Sequence, residues 1–573
     1  MRRGLLTALL VMAALLGVAQ SASAHAVLVE STPARGAELR SAPPKVEFEF
    51  NEPIEASLGA VRVFDTEGTE VQEGELLRPG GDAHAVGVRL RPDLPDGLYT
   101  ATYHVVSADA HPVSGGITFT VGQPGEGAAG FVQGKTISQL LAENETGTVT
   151  EVAFWADRWL GYLAIALAVG VLAWLLLAPA GVAGGPGGPA VVSRLRPLLL
   201  ASAGAGVAAS LLAVVFQGAV GAGTSFWHAL GSGIPGEVID TRFGTVMLVR
   251  IGAWLAIGAL ALSAAPRLAR PGPASILGLA VALVLAATPA FAGHASTRDP
   301  TWLLVPSDIA HVTAMAVWSG GLAAMLWLLP AATRAAGSAG ERTGLLTDVT
   351  LRFSAVALTC VAVIGASGAI QAILDVGSVP DLFETQFGRA VSIKIVLFAV
   401  LIGLGAANRV RIVPGLVRRL EASGSPGGPG LRLRRSLRAE TALVVVVLGV
   451  TAALVSYPPP DAIQAGPASG SVVVEGNRVE YTVDPAKVGG NEVHIYVFDD
   501  RTGAPVPVRG MDLSFSLPDA GIAPIEVDAR RAGPGHFVVP RAALGVKGEW
   551  RADAAIRLSE FDEPIAEFEV KIR

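Results

Sequence analysis

The stretch Leu98 to Gly122, LYTATYHVVSADAHPVSGGITFTVG, reads as two β-strands joined by a short polar segment. Apolar and polar residues alternate on both sides of that segment, the period-two signature of strands with one buried face. The same alternation recurs upstream in KVEFEF (45–50) and AVRVFDTEG (60–68), with turns at Pro43-Pro44, Pro79-Gly80-Gly81 and Pro95-Asp96-Gly97. Residues 25–122 are therefore expected to form a small antiparallel β-sandwich. Further upstream, Arg2 and Arg3 precede an apolar run from Leu5 to about Val18 and the small residues Ala22-Ser23-Ala24. That is the form of a secretory signal peptide, residues 1–24, whose removal makes His25 the first residue of the mature chain.

Downstream the text changes twice. Residues 123–150 are rich in Gly, Glu and Thr and read as a linker, with one short helix at ISQLLAEN (137–144). Eight apolar segments long enough to cross a bilayer follow, at about 152–178, 198–220, 243–264, 274–292, 303–329, 351–374, 389–407 and 440–456. Arg194, Arg196, Arg267, Arg270, Arg334, Arg342 and the Arg409 to Arg438 cluster all fall in alternate loops, which the positive-inside rule assigns to the cytoplasm. The register puts the N-terminal sandwich and the C-terminus outside. After Tyr457 the runs SVVVEG, RVEYTVD, EVHIYVFDD and AEFEVKI announce a second external β-sandwich over 458–573.

Two short strings echo each other: TRFGTVMLVR (241–250) and TQFGRAVSIK (385–394) share T-x-F-G followed by a base. They open the third and seventh apolar segments from the outside, so the membrane domain, 151–457, reads as two four-helix repeats of the same orientation. Composition narrows the function. With 573 residues, 51% hydrophobic residues and a net charge of −6, the chain offers no basic surface for nucleic acid. Its one cysteine, Cys360, lies in an apolar segment, so any metal must be held by His, carboxylate, Met or backbone groups. G-x-x-x-x-G-K-[ST] is absent, so movement of a solute must draw on a gradient, the potential or a partner.

An N-terminal histidine supplies an amine and an imidazole to one metal, a chelate suited to square-planar Cu(II). Asp109 and His111, two apart in extended backbone, present their side chains on one face and offer further ligands. The segments HAVLVESTPARGAELRSAPPKVEFEFNEPIE (25–55) and 98–122 resemble the CopC family of copper carriers across nearly the whole domain. That resemblance implies a Cu(II) site at His25, Asp109 and His111. The domain has no methionine, which argues against a thioether Cu(I) site there. His84 and His104 read as structural or surface histidines.

In the fifth apolar segment, PSDIAHVTAMAVWSGGLAAML (306–326), Asp308, His311 and Met315 recur at spacings of three and four and share a helical face. Ionisable groups inside a span are costly and usually mark a pathway or a partner. These three residues, with His294 in the preceding outer loop as the first ligand met from outside, are the transport-path candidates. The alternative left open is that His311 only hydrogen-bonds a neighbouring helix. The D-x-x-H, the WSGG and the repeated T-x-F-G are similar to the CopD membrane domain, which implies copper passage through the bilayer. Arg250 and Lys394 either pair with Asp308 or Asp157 or reach outward. Trp155, Trp159, Trp302 and Trp318 read as interfacial anchors. VDPAKVGGNEVHIYV (483–497) and GPGHF (533–537) resemble YtkA-like modules, in which His494 and His536 read as solvent-facing strand histidines or as further copper ligands. The resulting expectation is a copper-binding membrane protein that works with other copper chaperones. Two alternatives are a histidine-brace monooxygenase and a haem-binding electron-transfer protein.

Overall fold

The computed structural model describes residues 26, 28–56, 60–65, 67–108, 112–122, 146–422, 424–460 and 467–573. The expected signal peptide, His25, Asp109, His111 and residues 123–145 of the linker lie outside them. The first sandwich is built from β1 (Leu28–Thr32), β2 (Ala37–Leu39), β3 (Lys45–Phe50), β4 (Ile54–Glu55), β5 (Val61–Phe64), β6 (Gln72–Leu77), β7 (Ala85–Leu90), β8 (Gly97–Ser107) and β9 (Pro112–Val121). One sheet has the order β1-β3-β7-β6; the other runs β2-β9-β8-β4, with β5 also paired to β8. The alternation of KVEFEF is realised directly, with Val46, Phe48 and Phe50 buried and the acidic residues between them turned away from the core. The pair β2 and β9 is parallel, not antiparallel as the strand pattern alone suggests, because the chain returns to β9 only after visiting both sheets.

The middle of the chain forms eight long helices, each long and apolar enough to cross a membrane: α1 (Thr148–Leu177), α2 (Gly188–Gly221), α3 (Arg242–Leu268), α4 (Pro273–Ala292), α5 (Thr301–Trp327), α6 (Ala339–Asp375), α7 (Gln386–Ala407) and α8 (Gly427–Leu454). Helices α2, α6 and α8 begin about ten residues before their apolar segments. The apolar run marks only the part suited to lipid, whereas the helix continues into polar sequence. In α6 that extension is closed by a capping box, in which Ser338 accepts from the Glu341 amide and Glu341 reaches back.

The repeated T-x-F-G is a helix start. Thr241 caps α3 by accepting from the Gly244 amide at 3.1 Å, and Thr385 caps α7 by accepting from Gly388 at 3.0 Å. A Cβ on Gly244 would fall on the Val238 carbonyl and one on Gly388 on the Asp381 carbonyl, so the same glycine lets the same preceding turn fold back in both halves. Helices α1 and α5 also match each other, and they cross in contact. A Cβ on Gly170 would land on the Ala316 carbonyl and the Gly320 backbone, and one on Gly320 on the Ala166 carbonyl. Ala166-x-x-x-Gly170 and Ala316-x-x-x-Gly320 are thus small-residue stripes that let two backbones meet.

The aromatic residues divide. Trp302 is exposed, as an anchor should be. Trp318 is not an anchor: it is 5% exposed and meets the Phe398 ring edge-on at a centroid distance of 6.3 Å. Trp155 and Trp159 fasten α1 to α8, donating to the Gly449 and Val445 carbonyls at 2.9 and 3.0 Å.

The C-terminal sandwich packs the sheet β10 (Ala468–Val474), β11 (Asn477–Asp484), β12 (Gly489–Asp499), β16 (His536–Leu544), β15 (Arg530–Gly533) against β14 (Ile522–Val527), β13 (Gly510–Leu517), β17 (Gly548–Arg557), β18 (Ile565–Ile572). Trp550 and Phe515 lie in its core.

Candidate metal centre and membrane path

In the first sandwich the D-x-H segment runs between β8 and β9, whose register pairs Val106 with Pro112 and Val105 with Val113. The strands flanking it are firmly held. Tyr103 is buried between Phe48 and Phe50, and its ring lies across Gly115, where any Cβ would strike it. Ala26, the residue after His25, is completely buried in the same core. His104 is a structural histidine, buried with Nδ1 2.9 Å from the Ser114 hydroxyl, and His84 is exposed with Nδ1 2.8 Å from Asp82.

In the membrane domain the face of α5 carrying Asp308, His311 and Met315 meets α6. Asp308 accepts from the Gln371 amide at 3.2 Å, and His311 Nδ1 lies 3.0 Å from the Ser367 hydroxyl. Ser367 and Gln371 are four apart on α6, so one helical face answers the other. Asp308 also lies within electrostatic reach of Lys394, Asp375 and His294, and Asp375 holds the buried Arg298 at 3.2 Å. Met315 lies one turn beyond His311. Its sulfur receives only a long 3.7 Å contact from the Ser319 hydroxyl, which donates more closely to the Met315 carbonyl at 2.6 Å.

Lys394 lies within electrostatic reach of Asp308, and Arg250 within reach of Tyr162 and Asp157. Each base is nine residues past its capping threonine, so the two pairs are equivalents in the two halves. Arg250 is further fixed by donating to Thr288 at 2.8 Å. Ser367 and Gln371 join the candidate face only through α6, and Asp375, expected in an outer loop, is the last residue of that helix. Their signal in the sequence is polar residues spaced by four in an otherwise apolar helix. Among the described residues no group of three or more His, Cys, Asp or Glu side chains is arranged to hold a metal.

His494 and His536 face inward, not to solvent. They are 2% and 0% exposed, and His494 Nδ1 lies 3.0 Å from His536 Nε2. Their strands are covered on both faces, as the nearly unbroken burial of β12 shows. On the far side of His494, Nε2 lies 3.2 Å from Glu492, which accepts from Thr118 at 2.6 Å. Arg35 bonds both Asp484 at 2.7 Å and Glu492 at 3.2 Å, so a buried polar clasp joins the two sandwiches. Burial acts to raise the Glu492 pKa, yet His494, Arg35 and Thr118 together hold that carboxyl below the usual range. Asp484, with fewer donors, is pushed up by burial despite Arg35. Burial and then the neighbouring His494 hold the His536 pKa well below its ordinary 6.5.

The clasp makes the C-terminal sandwich acid-sensitive. Below about pH 6.5 the unfolded chain takes up a proton at His536 that the folded state refuses, so folded stability falls as pH falls. Glu492 acts in the same direction, since its folded pKa is depressed, and Asp484 acts in the opposite one. The expected net loss is at most about 1.4 kcal/mol per pH unit. Hydrogen-exchange protection of β12 and β16 in the full chain, corrected for intrinsic rates at pH 7.5 and 5.5, measures it; equal protection at both would contradict the assignment.

Eight spanning helices flanked by two β-sandwiches define a multi-pass membrane protein with two non-membrane modules. A family model for the CopC domain matches residues 28–122, one for the N-terminal domain of copper resistance protein D-like proteins matches 149–302, and one for copper resistance protein D matches 347–454. The chain belongs to the CopC family through its first sandwich and carries copper resistance protein D domains in the same polypeptide. It is 28% identical over 550 residues to copper transport protein CutJ of Bacillus subtilis, covering 94% of each chain. It is 31% identical over 109 residues to copper resistance protein C of Pseudomonas syringae pv. tomato, covering 18% of this chain and 86% of that one. With copper resistance protein D of the same organism the identity is 28% over 273 residues, covering 47% of this chain and 85% of that one. Among solved structures, CopC from Methylosinus trichosporium OB3b shares 25% identity, covers 18% of this chain and 97% of that one, and superposes with a TM-score of 0.16.

Proposed function

We propose that this copper-handling membrane protein captures extracytoplasmic Cu(II) on its first sandwich and passes copper through the helix bundle. The observation that carries the second step is the α5 face, where Asp308 and His311 meet Gln371 and Ser367 of α6 inside a span and Met315 follows one turn on. Placing such groups in lipid is costly, and a path for a cation gives them a use. The first step rests on His25, Asp109 and His111. Cleavage after Ala24 frees an amine on His25, and the next residue, Ala26, is locked in the core, so the chelate would be tethered to a rigid sandwich. Both sandwiches then lie outside the cytoplasm, consistent with arginine in alternate loops. His294, in the turn after α4 and within electrostatic reach of Asp308, is the first membrane-domain group a copper ion would meet. Transport is preferred to a histidine-brace oxidase because relatives matched over most of their length include ones named for copper transport and for copper resistance.

The test is copper uptake into proteoliposomes holding the full mature chain. Replacing both ligands, His311→Gln with Met315→Leu, is expected to lower the rate at least about tenfold, as loss of direct ligands costs more than the 10- to 100-fold typical of their supporting groups. Uptake at the wild-type rate would reject the path.

A further inference from the structure

The reading of His311 as a copper ligand leaves open which ring nitrogen meets the metal. The hydrogen bonds around Ser367 answer it. The Ser367 hydroxyl has one proton, and it lies 2.7 Å from the Val363 carbonyl and 3.3 Å from the Ile364 carbonyl, both of which can only accept. With its proton committed there, the oxygen can take part in the 3.0 Å contact with His311 Nδ1 only as acceptor. Nδ1 must then carry the ring proton. The opposite arrangement, with the serine donating to Nδ1, makes one hydrogen bond in place of two and leaves an Nε2 proton to be satisfied inside the membrane, where an unmet donor is expensive.

We infer that Ser367 is a positioning residue: it fixes the neutral His311 ring with Nδ1 protonated and leaves Nε2 as the lone pair that copper meets. The inference rests on the proposed path and adds the atom through which it acts. Gly368 helps hold the orientation. A Cβ there would sit 3.4 Å from His311 Cε1, so the ring edge lies directly against α6 at this glycine. Metal-bound imidazoles commonly use their second nitrogen in this way, donating to an oxygen that sets tautomer and direction. Here that oxygen belongs to a serine whose own proton is spent on its helix. A threonine at 367 would preserve the arrangement, and an alanine would release it.

The experiment is nitrogen NMR of the full mature chain in nanodiscs with ring-labelled histidine, His311 being assigned by its loss in His311→Gln. Silver(I) is the diamagnetic probe, chosen because imidazole and thioether suit a soft monovalent ion. The expected result is a protonated Nδ1 and a bare Nε2 before addition, and a silver-induced shift confined to Nε2. Ser367→Ala is expected to give a mixture of tautomers and roughly 10- to 100-fold weaker silver binding, with Ser367→Thr close to wild type. A bare Nδ1, or a silver shift on Nδ1, overturns the role given to Ser367. A protonated Nδ1 with no silver shift at either nitrogen overturns the inference from the other side, because the tautomer would stand while the ligand role of His311 failed. Because the tautomer is read without metal and without transport, these outcomes are distinguishable even in a variant that moves no copper.

Discussion

Gly320→Leu is expected to dismantle the membrane domain. The crossing of α1 and α5 brings Gly320 onto the Ala166 carbonyl and Gly170 onto the Ala316 carbonyl, so the obstacle to a larger side chain is backbone on both sides. Overpacking a well-filled site costs about 1–3 kcal/mol when side chains can give way. A helix backbone cannot swing aside, so the cost here lies at or above the top of that range. Because α5 carries Asp308, His311 and Met315, separating it from α1 also displaces the proposed path. The leucine variant should elute as aggregate or unfold well below wild type in detergent, and Gly320→Ala should show a smaller shift in the same direction. A leucine variant with a wild-type midpoint would mean that the close crossing is not a feature of the folded bundle.

Removing either member of the Asp308 and Lys394 pair is the second large effect. Asp308 on α5 and Lys394 on α7 lie within electrostatic reach of each other in an apolar bundle. Breaking a buried pair leaves an uncompensated charge at a cost of about 3–5 kcal/mol. Asp308→Ala and Lys394→Ala should each reduce copper uptake in proteoliposomes to near background. Exchanging the two residues, Asp308→Lys with Lys394→Asp, restores the pair and should recover a measurable part of the uptake if pairing is what the bundle needs. Should the exchange be no better than either single change, Asp308 has a role of its own beyond neutralising Lys394. The equivalent pair in the first half, Asp157 and Arg250, offers the comparison: Arg250→Lys keeps a base there and should be tolerated better than Arg250→Ala.

Much of this architecture was legible in the sequence because each layer has its own period. Alternation in KVEFEF became a strand with Val46, Phe48 and Phe50 inward, and eight apolar runs became eight helices. The echo of T-x-F-G was informative because it encodes a physical device, a threonine cap with a glycine that admits the preceding turn. What was missed depends on partners that a single segment does not reveal. The inward turn of His494 and His536 follows from a sheet covered on both faces, and alternation predicts an open face only when one side meets water. The residue type of Trp318 suggests an anchor, whereas its place at the α5 to α7 contact depends on how the helices cross. The Ala-x-x-x-Gly stripes of α1 and α5 are visible in the sequence, and the crossing of the two helices gives them their role. Ser367 and Gln371 gained meaning only when α6 was placed against α5.

The central claim, that the first sandwich captures Cu(II) through a free amine on His25 with Asp109 and His111, is tested most directly by electron paramagnetic resonance. The segment from His25 to Gly122 would be measured with one equivalent of Cu(II), beside the same segment with one extra residue before His25. The account predicts a tetragonal, nitrogen-rich signal that the extra residue alters, because it converts the chelating amine into a peptide nitrogen. Identical signals from the two would show that the amine is not a ligand and would contradict the proposed capture site.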